Sequence, residues 1–250
     1  MAVKQRRLSK REKRRQERDM DHMVSILNTK FGMRNIKPLT PTQSDLFQSY
    51  QQGYNLAAIG TAGTGKTMCA TYLALKDVLE KGEYERVVII RSAVQTREQG
   101  FVPGTLEQKA AMFEVPYVDI VNDLFGRKDA YQILKQKEMI RFTTSSNIRG
   151  LTFDNSIIIV DECQSMNYHE LDTIITRVGE SSKIIFCGDT KQDDLATTKN
   201  RADVSGLYDF LKVLNAIPSF DVVRFGVEDI VRSGLVKEYI IAKEKLLEVA

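Results

Sequence analysis

The chain has 250 residues, 42% hydrophobic and 28% charged, an ordinary globular composition with enough length for one sizeable core. No apolar run approaches the ~18 to 20 residues that span a bilayer, and the highly charged N-terminus excludes a secretory signal peptide, so the expected location is the cytoplasm, with no membrane partner. The net charge of +3 conceals an asymmetry: residues 1–18 carry nine Lys or Arg against Glu12 and Glu17, a local +7 that leaves −4 for the rest.

Residues 1–19, with almost no apolar side chains, read as a basic tail that does not dock on a core. Two roles stay open for it: a salt-sensitive, sequence-blind contact to the phosphates of RNA or single-stranded DNA, or a solubilising extension. Residues 20–37 read as a short helix and linker, with Met23, Ile26, Leu27 and Phe31 at helical spacing and Gly32 as the stop. A single α/β domain is expected over 38–250. Pro38 and Pro41 force an extended entry to its first helix, for which Thr42 or Ser44 is the expected cap. Gln43 in that helix has a side-chain amide able to offer a donor and an acceptor to an adenine edge, or is simply a first-turn residue.

Residues 55–81 organise everything else. NLAAI predicts a buried strand, GTAGTGKT (60–67) a glycine-rich turn and MCATYLALKDVLEK a long helix. Gly60, Gly65, Lys66 and Thr67 match G-x-x-x-x-G-K-[ST], and the strand before and helix after are the setting in which that pattern cradles phosphates. Glycines at 60, 63 and 65 let the backbone curl so that N–H groups converge on an anion at a helix N-terminus. Lys66 can then reach the β- and γ-phosphates and the Thr67 hydroxyl can hold Mg²⁺.

Further strands are expected at VVIIR (87–91), IRFTTS (140–145), Ile157–Val160, 183–187 and 220–225, with helical patterns near Leu106, over 117–125, 128–138 and 236–248. Alternating strands and helices predict a parallel sheet covered on both faces. Asp161 and Glu162 stand at the C-terminal end of a strand, where ligands of parallel sheets sit. Asp161 is the expected Mg²⁺ partner and Glu162 the base that orients a water at the γ-phosphate; the bland alternative is a pair capping the next helix. Gln192, three residues after Gly188-Asp189, is placed to sense the γ-phosphate, or marks an ordinary turn. Arg232 is either an ion-pair partner or a finger that stabilises γ-phosphate charge. Cys69, Cys163 and Cys187 are expected as buried thiols. His22 and His169 read as surface positions, and Met23, Met33, Met68, Met112, Met139 and Met166 as core filler.

Seven blocks in order, GTAGTGKT, VVIIRSAV, GFVPGTLEQK, IRGLTF, VDECQ, GDTKQDDL and DIVRSGLV, resemble the PhoH family of phosphate-starvation-inducible ATPases over about residues 38–240. The resemblance implies a RecA-like P-loop NTPase domain that uses ATP. Carried onto this sequence, it assigns adenine recognition to Gln43 and phosphate binding to Gly60, Thr61, Ala62, Gly63, Thr64, Gly65, Lys66 and Thr67. It also assigns the Mg²⁺ and water-activating pair to Asp161 and Glu162, with Gln192 as sensor and Arg232 as the late arginine. Two positions depart: Ser92 follows Arg91 where the family usually has proline, and Cys163 replaces the common alanine. One such domain supplies half of a helicase-like cleft, so a homo-oligomer, expected as a hexameric ring, is implied. The expected activity is Mg²⁺-dependent ATP hydrolysis coupled to RNA or single-stranded nucleic acid. The rivals are a nucleotide-switched assembly protein that unwinds nothing, and a small-molecule kinase.

Overall fold

The computed structural model describes residues 31–92, 106–189 and 206–247. The chain divides at Arg34 into an N-terminal unit and a unit from Asn35 onward, which holds every element below. The basic tail, most of the helix expected at 20–34, and Gln192 lie outside the described residues; residues 31–34 are not helical.

Six strands form one parallel sheet: β1 (Asn55–Gly60), β2 (Arg86–Arg91), β3 (Ile140–Thr144), β4 (Ser156–Asp161), β5 (Lys183–Gly188) and β6 (Phe220–Phe225), ordered β3-β2-β4-β5-β1-β6. Every residue of β4 and β5 is buried, as unbroken runs such as Ser-Ile-Ile-Ile-Val require when helices cover both faces. Alternation divides the strand residues between two cores. On one face Ala57, Val88, Val160, Ile184 and Phe186 pack with Leu171 and Ile174 of α5 (Tyr168–Ile175) and with Phe210, Leu211 and Leu214 of α6 (Leu207–Asn215). On the other face lie α1 (Pro41–Gln51), α2 (Lys66–Lys76, continued by a π-helical turn Asp77–Lys81), α3 (Leu106–Phe125) and α4 (Ala130–Gln136). The last helix is α7 (Gly234–Leu247). This is the α/β class expected from the sequence, a parallel sheet with helices on both faces. Among the described residues no helix is long and apolar enough to cross a membrane.

Three local expectations change. α1 is capped by Thr40, whose side chain accepts from the Gln43 N–H while Pro41 opens the helix, so Thr42 and Ser44 are inside it. The helices expected near 106 and at 117–125 are one, with Pro116 inside. A proline normally breaks a helix because it has no N–H for the i−4 carbonyl. Pro116 and Met112, whose carbonyl loses that bond, are both on the exposed side, where water substitutes, while Tyr117, Val121 and Leu124 hold the buried side. Met112 is therefore half-exposed rather than core filler, whereas Met166 is fully buried. All three cysteines are free and buried, as expected, and His169 is exposed.

Candidate functional site

The site forms where the C-terminal ends of β1, β4 and β5 meet the start of α2. β1 ends at Gly60, with φ +136°; a Cβ there would lie 2.0 Å from the Phe225 carbonyl oxygen of neighbouring β6, so only glycine lets the chain leave the sheet here. Gly63 and Gly65 have φ +76° and +82°, the left-handed turns that curl the loop, and Gly65 caps α2 with no side chain over its first N–H groups. The Thr64 hydroxyl donates back to the Thr61 carbonyl at 3.0 Å and closes the loop on itself.

Lys66, 9% exposed, places its ammonium 2.7 Å from the Gly60 carbonyl and 2.8 Å from that of Thr61. Burial lowers its pKa, opposed by Asp189 and more weakly by Cys187, Glu162 and Asp161. A buried cation held by neutral carbonyls at the mouth of a glycine loop is matched to an anionic ligand.

The Thr67 hydroxyl donates to Asp161 Oδ1 at 2.8 Å, so the first turn of α2 and the end of β4, 94 positions apart in sequence, share one point. Asp161 Oδ2 accepts from the Tyr117 hydroxyl, also at 2.8 Å. Tyr117 on α3 is fully buried, with its ring 5.6 Å from that of Phe142, and was not legible as a site residue; the motif spacing says nothing of a partner from a separate helix. Burial, then the Glu162 charge, raise the Asp161 pKa above the ordinary aspartate range, and the two hydroxyl donors and Arg91 oppose that rise. Because the folded carboxyl binds its proton more tightly than the unfolded one, stability falls as pH rises through the raised pKa. Tyr117→Phe keeps the ring and removes one donor to the ionised form. We expect it to cost about 1–3 kcal/mol, with the gap from wild type in urea midpoints widening as pH rises through that ionisation. A gap that ignores pH would show that the hydroxyl does not support the carboxylate.

Glu162 lies beside Asp161 at φ +52°, ψ +42°, a left-handed conformation unusual for a non-glycine residue. The structure thus brings Lys66, Thr67, Asp161 and Glu162 together. Gln43, 3% exposed, reaches the loop: its Nε2 donates to the Thr64 carbonyl at 2.8 Å and its Oε1 accepts from the Leu39 N–H at 2.8 Å. Arg232 reaches it from the far end of the chain, its Cγ 2.9 Å from where a Gly63 Cβ would stand, while the Val231 N–H donates to the Gly63 carbonyl at 3.1 Å. In this chain the late arginine sits beside its own loop.

Residues 35–244 match the family model described as PhoH-like protein. The PhoH-like protein of Bacillus subtilis (strain 168) is 30% identical over 213 residues, 85% of this chain and 65% of that protein. Protein PhoH of Escherichia coli (strain K12) is 29% identical over 240 residues, 92% of this chain and 66% of that protein. The chain therefore spans just under two thirds of the length of these relatives. Among solved structures, the Sulfolobus solfataricus SWI2/SNF2 ATPase core in complex with dsDNA is similar at 14% identity over 77% of this chain and 47% of that one, with a TM-score of 0.42. The Pif1 helicase of Candida albicans is similar at 17% identity over 76% and 40%, with a TM-score of 0.38. The family match runs through the phosphate loop, the Asp161–Glu162 pair and Arg232, the residues gathered above, and it places this chain in the family of PhoH-like proteins.

Proposed function

We propose that this protein is an ATPase in which the loop 60–67 holds the triphosphate and Glu162 orients the water that attacks the γ-phosphate. The observation that carries the reading is the 2.8 Å contact between Thr67 Oγ1 and Asp161 Oδ1, because it sets a phosphate loop and a strand-end carboxylate pair at one point. The same donor set fits Mg²⁺, which takes hard oxygen ligands and is usually held by one or two carboxylates together with substrate phosphates. Thr67 and Asp161 would hold it, and when bound it would neutralise charge on the phosphate oxygens. Lys66 supplies a fixed positive charge to the same oxygens, and Glu162 accepts a hydrogen bond from the water. A carboxylate there can orient a water or a metabolite hydroxyl alike, so ATP consumed only when a second metabolite is added would favour the kinase reading.

Two finer parts belong to the same proposal. The basic tail supports coupling to RNA or single-stranded DNA, and the single α/β sheet of the described residues, half of a helicase-like cleft, supports a homo-oligomeric ring. The test is ATP turnover with and without Mg²⁺ and single-stranded RNA, at low and high salt, alongside light scattering across a concentration series. Mg²⁺-dependent turnover that RNA raises in a salt-sensitive way is expected. No turnover in any condition would overturn the ATPase. RNA-indifferent turnover would favour the nucleotide-switched assembly protein, and a monomer with full activity at every concentration would remove the ring.

A further inference from the structure

Gln164, two positions beyond Glu162, has no part in the reading above, yet it is 2% exposed and both ends of its amide are used. Its Nε2 donates to Glu162 Oε2 at 2.6 Å, and its Oε1 accepts from the backbone N–H of Asp189 at 2.9 Å. The orientation of the amide is forced, since a carboxylate can only accept and a backbone N–H can only donate. One side chain thus ties the carboxylate after β4 to the first residue after β5.

Two further features bear on the same turn. Glu162 holds a left-handed backbone conformation, which for a non-glycine residue is strained and persists only where the surroundings over-determine it. The 3₁₀ turn that follows, Cys163–Ser165, is pressed against β5: a Cβ on Gly188 would stand 2.4 Å from Cys163 Sγ and 3.2 Å from Gln164 Oε1. Glycine at 188 is what allows the turn to sit close enough for the Gln164 amide to reach both partners.

We propose that Gln164 is the positioning residue of Glu162. Its amide clamps one carboxylate oxygen, leaves the other for the water, and ties the base to the end of β5. A neutral donor suits this task, because it fixes a carboxylate without cancelling the charge that attracts the proton; a lysine there would pair with Glu162 and quench it. The proposal rests on Glu162 being the water-orienting base.

The experiment is single-turnover ATP hydrolysis, nucleotide affinity and melting temperature for Gln164→Ala, Gln164→Met and Gln164→Glu, in the wild-type and Glu162→Ala backgrounds. Gln164→Met keeps the volume, and Gln164→Glu keeps the acceptor for Asp189 while removing the donor to Glu162. A misplaced catalytic group costs on the order of 10²-fold. We expect each variant to lower the hydrolysis rate by about 10- to 10²-fold, with the affinity of Gln164→Ala and Gln164→Met for ATP within about twofold of wild type, and to add nothing once Glu162 is alanine. Full rates in Gln164→Met and Gln164→Glu, or the same loss in the Glu162→Ala background, would overturn the clamp. So would rates that follow melting temperature alone. If Glu162→Ala itself turns over ATP normally, the base assignment falls and takes the clamp with it; if Glu162→Ala is inactive and the Gln164 variants are not, only the clamp falls.

Discussion

Glu162→Gln is expected to lower ATP turnover by about 10² to 10⁴-fold, the usual worth of a positioned general base, while leaving nucleotide affinity within a few-fold of wild type. The substitution is close to a pure loss of basicity. Glutamine has the size of glutamate, and its amide oxygen can still accept the bond from Gln164 Nε2 that holds the turn. The groups proposed to bind phosphate lie elsewhere: Lys66 is held by the Gly60 and Thr61 carbonyls, and Thr67 by Asp161. Binding and chemistry should therefore separate, which a fluorescent nucleotide titration beside a single-turnover assay will read. Retained turnover would move the base to another residue. Affinity lost in parallel with turnover would mean that Glu162 binds the nucleotide instead of activating water.

That separation was legible in the sequence to an unequal degree. The central strands β1, β2, β4 and β5 were readable because each is a short apolar run buried on both faces, and the edge strands β3 and β6, with Arg141 and Arg224 exposed, because aromatic and β-branched residues still dominate them. The phosphate loop and the Asp161–Glu162 pair were readable because each is local, and the strand-end rule brings them together. What could not be read was non-local or depended on which face meets water. Pro116 breaks a helix on paper, and only the exposed placement of Met112 and Pro116 shows why it does not. Tyr117 meets Asp161 across 44 positions. Gln164 was visible inside the VDECQ block but acquires meaning only once β5 lies beside β4. The helix α5 did carry a signal that went unused: Asn167 and Glu170 form a reciprocal capping box, the N-x-x-E pattern of a helix start.

Lys66→Met should remove most of the effect of ATP on the protein while leaving the nucleotide-free fold nearly as stable as wild type. The lysine is buried and its pKa is lowered by that burial, so in the free protein its charge is a cost; the carbonyls of Gly60 and Thr61 repay part of it. The sign of the pH dependence follows. A folded pKa below the unfolded one means that the unfolded chain binds the proton more tightly, so the free wild type gains stability as pH rises from that lowered pKa toward the ordinary lysine range. Methionine keeps the apolar stem, removes the cost together with the donor, and should flatten this alkaline gain. With ATP the balance reverses, because phosphate oxygens supply the countercharge the carbonyls lack, and losing one partner of such a pair costs about 2–5 kcal/mol, upward of ~30-fold in affinity. At an ATP concentration 100 times the wild-type dissociation constant, ligand binding adds about 2.7 kcal/mol to wild-type stability, and the methionine variant should show little of it. Thermal melts with and without ATP across neutral to alkaline pH read both effects at once. Equal ATP-induced shifts in the two proteins would show that the glycine loop binds its anion through backbone N–H groups alone and that Lys66 is a structural cation of the loop.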